Sequence, residues 1–527
     1  VSRLLLLFIC LIWMAGISEP AVRGLTADTS AVLAHLTTLP VMVLFVAVWS
    51  RWASRRVTGN NFVRTARTLG WLMFCARGLI VVWFAGAVFY LGWPAFVLDT
   101  IGLGRWEYLR LPGLFVGTLP VMLTWVALWW AQYPADQALR FQGLADNLLA
   151  ELPVHSPPAM GEWLLSTVRL QLLFTVLPVM LIAATHDVLA LSLFPAMDLA
   201  SLGHLREQVD GVLWLLSAAA VFLLAPEVLR RVLKTKPLAD SPLRRRLEFL
   251  CRRSGITCRD ILVWDTHYNV GNAAVMGLMP RFRYVLLSDL LLDRMGNEQI
   301  EAVFAHEVGH VVHRHMAWYV VFFMILIFLA AGPGALAVDL LHRVVPIEQG
   351  MSVALLFAST AAVCVMFGFV SRRFERQADV YAARMMESIR PADASVGAAA
   401  LGPLLSGNRP AAEPPAPPIE SHVGVYGSNL FSSALHKVAT INNLPVAPRS
   451  RSRSGLVGQV SYAIGNLVDL AHDWLHGSIA SRMEYLRTLS ADPSLTGRFD
   501  RMMTRLYSAL LFVLVASAAY TLPGAFR

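Results

Sequence analysis

The sequence predicts a mainly α-helical polytopic membrane protein of about eight or nine spans, carrying a folded cytoplasmic domain with a small β-sheet. Three observations predict it. The 527-residue chain is 56% hydrophobic and 15% charged, with a mean hydropathy of +0.56, too apolar for an ordinary soluble protein. Apolar runs long enough to cross a bilayer recur along its whole length. Among them lie two polar blocks with helix and strand signals of their own.

The runs fall at 31–50, 70–92, 113–132, 168–185, 211–229, 318–340, 352–370 and 506–522. A shorter run at 3–17 follows Arg3. Ala21 and Gly24 make a poor cleavage site, so it reads as an uncleaved ninth span in preference to a signal peptide. Orientation follows from arginine bias. Residues 51–67 carry Arg51, Arg55, Arg56, Arg64 and Arg67 with no acid, the mark of a cytoplasmic segment. Alternation from there puts 93–110, 186–210 and 341–350 outside, and the polar blocks 230–317 and 371–505 inside. The pentapeptide Thr-Leu-Pro-Val-Met occurs at 38–42 and 118–122, and its last four residues recur at 177–180. These are proline kinks in spans, suited to helix packing or to lining an intramembrane cavity. Their irregular spacing excludes a repeat fold.

The chain thus divides into an N-terminal multi-span region (1–231), a first polar block (232–317), a transmembrane hairpin (318–370), a second polar block (371–505) and a C-terminal span (506–527). In the first block a helix is expected from Pro242 to Gly255. Strands are expected at Asp260–Thr266, Ala273–Met276 and Tyr284–Ser288, punctuated by Asn269, Gly271 and Gly277. Helices should follow at 289–295 and, capped by Asn297, up to Met316. The second block opens with a helix over 371–389. Its Pro-rich stretch 405–421 and Arg/Ser-rich stretch 446–455 read as mobile loops.

The first block contains His306-Glu307-Val308-Gly309-His310. Histidines at i and i+4 project from one helical face, so both imidazoles reach a single Zn²⁺, and the intervening glutamate is placed to act as a base toward water. A catalytic site needs a third ligand and an open fourth position. The run Ser371-Arg372-Arg373-Phe374-Glu375-Arg376-Gln377-Ala378-Asp379 offers Glu375 and Asp379 at i and i+4, one to bind metal and one to orient a histidine. His313 shares the face of His306 and His310, but lies about 10.5 Å along the axis from His306 at 1.5 Å per residue. A salt-bridge stripe with Arg372, Arg373 and Arg376 is the bland reading of the carboxylates.

In order and spacing, HEVGH followed by SRRFERQAD resembles the membrane-bound zinc metalloproteases of the gluzincin type, the family of the CAAX-processing protease and the bacterial heat-shock membrane protease HtpX. Three further stretches agree. Gly271–Gly277 resembles the family's Asn-Ala-x-x-x-Gly edge strand. Ser433–Ala439 resembles the helix after its third ligand. His476, six residues before Arg482, resembles its His-Pro…Arg signature, although Gly477 stands where the family has proline. The likeness covers roughly 240–490. It implies a gluzincin-type protease domain with one zinc per chain on His306, His310 and Glu375, and with Asp379 and His315 supporting the ligands. Glu307 would be the base, and His476 and Arg482 would face the developing oxyanion or hold ligand carboxylates. Asn272, Ala273 and Gly277 would pair with substrate backbone, or form no more than a tight turn.

The function implied is an integral-membrane zinc endopeptidase acting on membrane-associated or misfolded proteins, in a bacterial cytoplasmic (inner) membrane with its site facing the cytoplasm. An inactive membrane scaffold and a zinc-binding transporter or receptor are the other classes. A transporter would show ionisable residues facing one another in mid-span, and Arg77 and Arg169 have no evident carboxylate partners in the sequence. The net charge of +9 sits largely beside span ends, as in Arg230-Arg231 and Arg244-Arg245-Arg246. This suits anionic lipid, and no nucleic acid partner is expected. The five cysteines contain no C-x-x-C, so neither a disulfide framework nor a thiolate zinc site is expected. The sequence names neither substrate nor oligomeric state.

Overall fold

A computed structural model describes residues 2–18, 29–58, 61–105, 109–149, 156–194, 205–344, 349–389, 419–442, 444, 446 and 475–525. The expected mobile loops at 405–421 and 446–455 lie almost wholly outside the described residues. The molecule is a polytopic helical membrane protein. Seven described helices are long and apolar enough to cross a bilayer: Val32–Ser54, Arg64–Phe89, Leu111–Gln142, Met160–Leu193, Gln208–Val232, His315–Leu341 and Pro493–Leu522. The expected span 3–17 is the shorter apolar helix Leu4–Ser18. That at 352–370 lies within one continuous helix, Gln349–Ser388.

The chain forms two units, residues 1–233 and 234–527. The first is helical: α1 (Ser2–Ser18), α2 (Thr29–Ser54), α3 (Phe62–Phe89), α4 (Leu111–Leu149), α5 (Met160–Leu193) and α6 (Leu205–Val232). Helix α2 packs on α4, α1 on α3 and α5 on α6. The prolines of the repeated motif, Pro40, Pro120 and Pro178, sit inside α2, α4 and α5 without ending them. Near Pro134, where α4 lacks an amide, Ser50 of α2 donates to Gln132 O at 3.2 Å and accepts from the Ala135 amide at 3.1 Å. Hydroxyls meet such loosened backbone where water is absent. At the ends of α5 and α6, His186 has Asp210 at 3.0 Å from Nε2 and Asp187 at 3.4 Å from Nδ1. Asp187 also accepts the Arg110 and Leu111 amides, both at 2.8 Å, at the start of α4. Carboxylates favour such helix N-termini.

The second unit holds a four-stranded sheet of order β1-β2-β4-β3, from β1 (Thr235–Pro237), β2 (Asp260–Trp264), β3 (Ala273–Met276) and β4 (Tyr284–Ser288). Strands β2 and β4 are parallel, and β1 and β3 run antiparallel at the edges. The central β4 is buried along its whole length, which explains its unbroken run Tyr-Val-Leu-Leu-Ser. Strand β1 has no period-2 signal and was not expected. The helices of this unit include α7 (Pro242–Arg253), α8 (Asp289–Arg294), α9 (Asn297–Val312), α10 (His315–Leu329), α11 (Gln349–Ser388), α12 (Val425–Ile441), α13 (Ile479–Ala491) and α14 (Pro493–Ala525). Leu247, Ile261, Val285, Phe304, Phe374, Met385 and Phe431 join the sheet to α7, α9, α11 and α12 in one core.

Two departures from expectation shape the site. The helix expected to run to Met316 stops at Val312, because Arg314 takes a left-handed conformation (φ 54°) and a new helix starts at His315. The hairpin's second span and the Glu375 helix are one rod, α11. Both α9 and α12 pack on that rod through glycine. A Cβ on Gly309 would lie 3.1 Å from Ala378 Cα, and one on Gly427 would overlap the Ala383 carbonyl oxygen at 1.9 Å.

Candidate metal centre

Helix α9 projects His306 and His310 from one face, as its i, i+4 spacing requires, and α11 brings Glu375 against them. The two Nε2 atoms are 3.2 Å apart. Glu375 Oε2 lies 3.6 Å from His306 Nε2, and Oε1 lies 3.7 Å from His310 Nε2. Among the described residues these three form the one group of side chains placed to hold a metal ion. His313 is not in it. It caps α9 and stands edge-on to Tyr381.

The donors fit a tetrahedral ion. Bonds of about 2.05 Å set ligand atoms roughly 3.3 Å apart, and the three observed separations bracket that value. Proton placement agrees. His315 Nε2 lies 2.9 Å from Gln377 Oε1, an acceptor that also takes the Tyr507 hydroxyl at 2.5 Å. His315 therefore donates through Nε2 and presents a lone pair at Nδ1, 2.9 Å from His310 Nδ1. His310 then carries its proton on Nδ1 and leaves Nε2 bare. Asp379 Oδ1, 3.0 Å from His306 Nδ1, holds a proton there electrostatically, though the contact is not aligned as a hydrogen bond. Two ring lone pairs facing each other at 3.2 Å repel, so the geometry calls for a cation between them, either a metal or a proton.

The electrostatics point the same way. Burial disfavours a charged His306, but Asp379 and Glu375 outweigh it and lift the group to about 9. Burial dominates at His310 and pushes it down to about 4, so it keeps its lone pair. Burial would raise Glu375, yet His476, His306 and His310 hold it well below the usual carboxylate range. Asp379 is likewise held low against its burial, chiefly by Arg482.

Glu307 is pushed up by burial, and its Oε2 accepts the Val275 amide at 3.2 Å. The Asn272 carbonyl accepts the Ser288 amide. By the alternation of an antiparallel ladder, Ala273 and Val275 turn their backbone groups away from β4, toward the site. Asn272, Ala273 and Gly277 all line a cavity of about 1030 Å³ that also contains His306, Glu307 and His310. Gly277 has φ 98°, and a Cβ there would meet Phe282 O at 2.1 Å. Its lack of a side chain makes room for the chain's own turn.

His476 Nδ1 lies 2.9 Å from Glu375 Oε1, and the charge of Glu375 raises it. Gly477 has φ 74°, which proline cannot adopt, so the missing proline reflects a different turn here. Arg482 holds Asp379 with two bonds of 2.8 and 2.5 Å and reaches Glu375 Oε2 at 3.5 Å. Its contacts are thus with two carboxylates, Asp379 and Glu375. Sequence reasoning missed Gln377 and Tyr507, which set the His315 tautomer, and Phe431, which stacks on His306 at 5.6 Å. A lone Gln in an Arg-rich run, and aromatics 130 and 125 positions from their partners, leave no local signal.

Comparison with known proteins bears on residues 237–436, which match the model of peptidase family M48. The chain is 30% identical over 172 residues to the CAAX prenyl protease 1 homolog of Arabidopsis thaliana, covering 30% of this chain and 41% of that protein. It is 28% identical over 178 residues to CAAX prenyl protease 1 of Saccharomyces cerevisiae, covering 29% and 39%. The matches thus span about two fifths of the length of these relatives. The crystal structure of S. mikatae Ste24p aligns over 85% of this chain and 97% of that one at 15% identity, with a TM-score of 0.42, too low to support a fold assignment. The likeness to peptidase family M48 thus covers residues 237–436, the stretch that holds His306, Glu307, His310 and Glu375.

Proposed function

We propose that the protein is an integral-membrane zinc-dependent endopeptidase that cleaves peptide bonds of membrane-associated or misfolded proteins. The observation carrying this reading is the convergence of His306 Nε2, His310 Nε2 and Glu375 beside Glu307, in a cavity walled by an edge strand. His306, His310 and Glu375 would hold one zinc, which when bound supplies a Lewis acid that polarises a carbonyl and acidifies water. Glu307 takes the proton of the attacking water and returns it to the leaving amine, with burial raising its proton affinity. Ala273 and Val275 turn backbone groups toward the site, where an extended peptide would displace Glu307 from the Val275 amide. His476, 61% exposed, stands at the rim within reach of a bound substrate. The arginine bias favours a site facing the cytoplasm of a bacterial inner membrane.

Zinc content and proteolysis of purified protein test this. Wild type should hold about one zinc and cut an unfolded membrane substrate. Glu307→Gln should keep the metal and cut roughly 10²–10⁴-fold more slowly. Glu375→Ala should lose both. A Glu375→Ala protein that retains zinc would remove the third ligand, and a wild type that binds none would leave an inactive scaffold. The transporter reading expected facing ionisable groups in mid-span. The described pair, His186 and Asp210, sits instead at helix ends, in a network that caps α4.

A further inference from the structure

Away from the metal centre, Cys251 and Cys258 have their sulfurs 3.8 Å apart. Cys251 is buried in the last turns of α7, and Cys258 is half-buried just before β2. The connection between them is tightly wound. Gly255 (φ 64°) ends α7, with its amide bonded to Arg252 O at 3.0 Å and the Ile256 amide bonded to Cys251 O at 3.1 Å. This is a Schellman cap, which returns the chain beside the helix that it leaves. The loop has a second attachment. Arg283 donates to Thr257 O at 3.0 Å and to Leu278 O at 2.7 Å, tying it to the turn that follows edge strand β3. Ser254, Gly255, Ile256, Thr257, Leu278 and Arg283 all line the cavity that contains the metal centre.

We propose that Cys251 and Cys258 are a reversible disulfide site, oxidised by small-molecule disulfides, that moves this wall of the cavity. The consequence for cleavage rests on the protease reading above; the disulfide does not. The half-buried Cys258 thiolate attacks the small disulfide, forming a mixed disulfide and releasing one thiolate. Cys251 then gives up its proton and attacks the Cys258 sulfur. The mixed S–S bond breaks and a second thiolate leaves. Two cysteine thiols are oxidised by two electrons, one small disulfide is reduced to two thiols, and the two cysteine protons pass to them. Contact with Cys251 lowers Cys258 from its ordinary value, as an attacking thiol requires. Closing from 3.8 Å to a bond of about 2.05 Å brings the sulfurs together by about 1.7 Å. Thr257 is the residue next to Cys258, so the Arg283 tie carries that movement to the end of β3.

The experiment uses the full chain carrying Cys10→Ala, Cys75→Ala and Cys364→Ala, incubated in glutathione buffers of rising oxidised fraction, alkylated and mapped by mass. The expected result is a peptide pair carrying 251 and 258 that loses two hydrogens and regains them with dithiothreitol. Amide exchange across 277–283 should change in step, and cleavage should slow roughly tenfold or more, as small misplacements at reacting groups do. Cys258→Ser should respond in neither readout. If the triple variant does not fold, the same peptides are read in wild type. Both cysteines alkylated at every ratio would overturn the proposal, as would a disulfide that leaves exchange across 277–283 unchanged. If no substrate is cut under any condition, the protease reading fails, while the mass and exchange results still decide this one.

Discussion

In the first unit His186 is 1% exposed and has a carboxylate at each ring nitrogen, Asp210 at 3.0 Å and Asp187 at 3.4 Å. In the second, His306 is 8% exposed with Asp379 at 3.0 Å from Nδ1, while its Nε2 faces Glu375 at 3.6 Å and another histidine's nitrogen at 3.2 Å. Both are buried histidine–carboxylate clusters of similar composition. The difference is the second ring nitrogen. Where acids alone flank both, the ring bridges them and ties two helices together; where a second imidazole nitrogen also faces one of them, a shared cation fits between the rings. Where one acid fixes the proton at the far nitrogen, the near lone pair is available to a metal. Residue content alone does not separate the two, and proton placement does.

The largest effect expected from this contrast is in metal content. His306→Ala should take zinc from about one per chain to near none, while His186→Ala should leave it at about one, measured by atomic emission on purified protein. A His186→Ala protein that loses zinc would erase the distinction. Next comes stability. Arg482 is 9% exposed and doubly bonded to Asp379, so Arg482→Leu removes both of those bonds and leaves the buried carboxylate only the His306 ring as a charged neighbour. A loss on the order of 3–5 kcal/mol is expected in denaturant unfolding of the metal-free protein. A loss within 0.5 kcal/mol would mean that water already screens this pair.

A smaller effect sharpens the comparison further. His315→Leu removes the lone pair that keeps the proton of His310 on Nδ1. Zinc affinity should fall roughly 10–100-fold with Glu307 and all three ligands intact. Competition with a chromophoric chelator measures it. Unchanged affinity would show that His310 settles its own tautomer.

These residues also show where the sequence was legible. HEVGH is legible because four-residue spacing on a helix is itself geometry. Ala273–Met276 and Tyr284–Ser288 appear with the expected bounds because β-branched and glycine punctuation is local. Glu375 was found from a second helical spacing and a family resemblance. The resemblance names His315 and Asp379 as support behind the ligands, but the geometry of that support is not legible. His315 reaches His310 only because Arg314 breaks the helix in a left-handed conformation, with neither glycine nor asparagine to announce it. Gln377 and Tyr507 act from 62 and 192 residues beyond His315 along the chain, as their numbering shows. Gly309 carries no signal of its own in the pentapeptide, yet it sets how closely α9 approaches α11.

The smallest effect expected is the most specific to a site that holds either a proton or a metal. Without metal, His306 is raised to about 9 from an ordinary value near 6.5. Its stabilising contribution is therefore fully present below about 6.5 and is lost as pH rises through about 9. Bound zinc reverses the slope, because the ligands must lose protons to bind it and low pH returns them. Zinc-stripped protein should become less stable from pH 6.5 to 9, and zinc-loaded protein more stable over that range. Zinc uptake near pH 7.5 should release about one proton, read by calorimetry in buffers of different ionisation enthalpy. His186→Ala should leave the difference between the two slopes unchanged, since no metal competes for that ring. Parallel slopes with and without zinc would mean that the proton on His306 and the metal do not share a place.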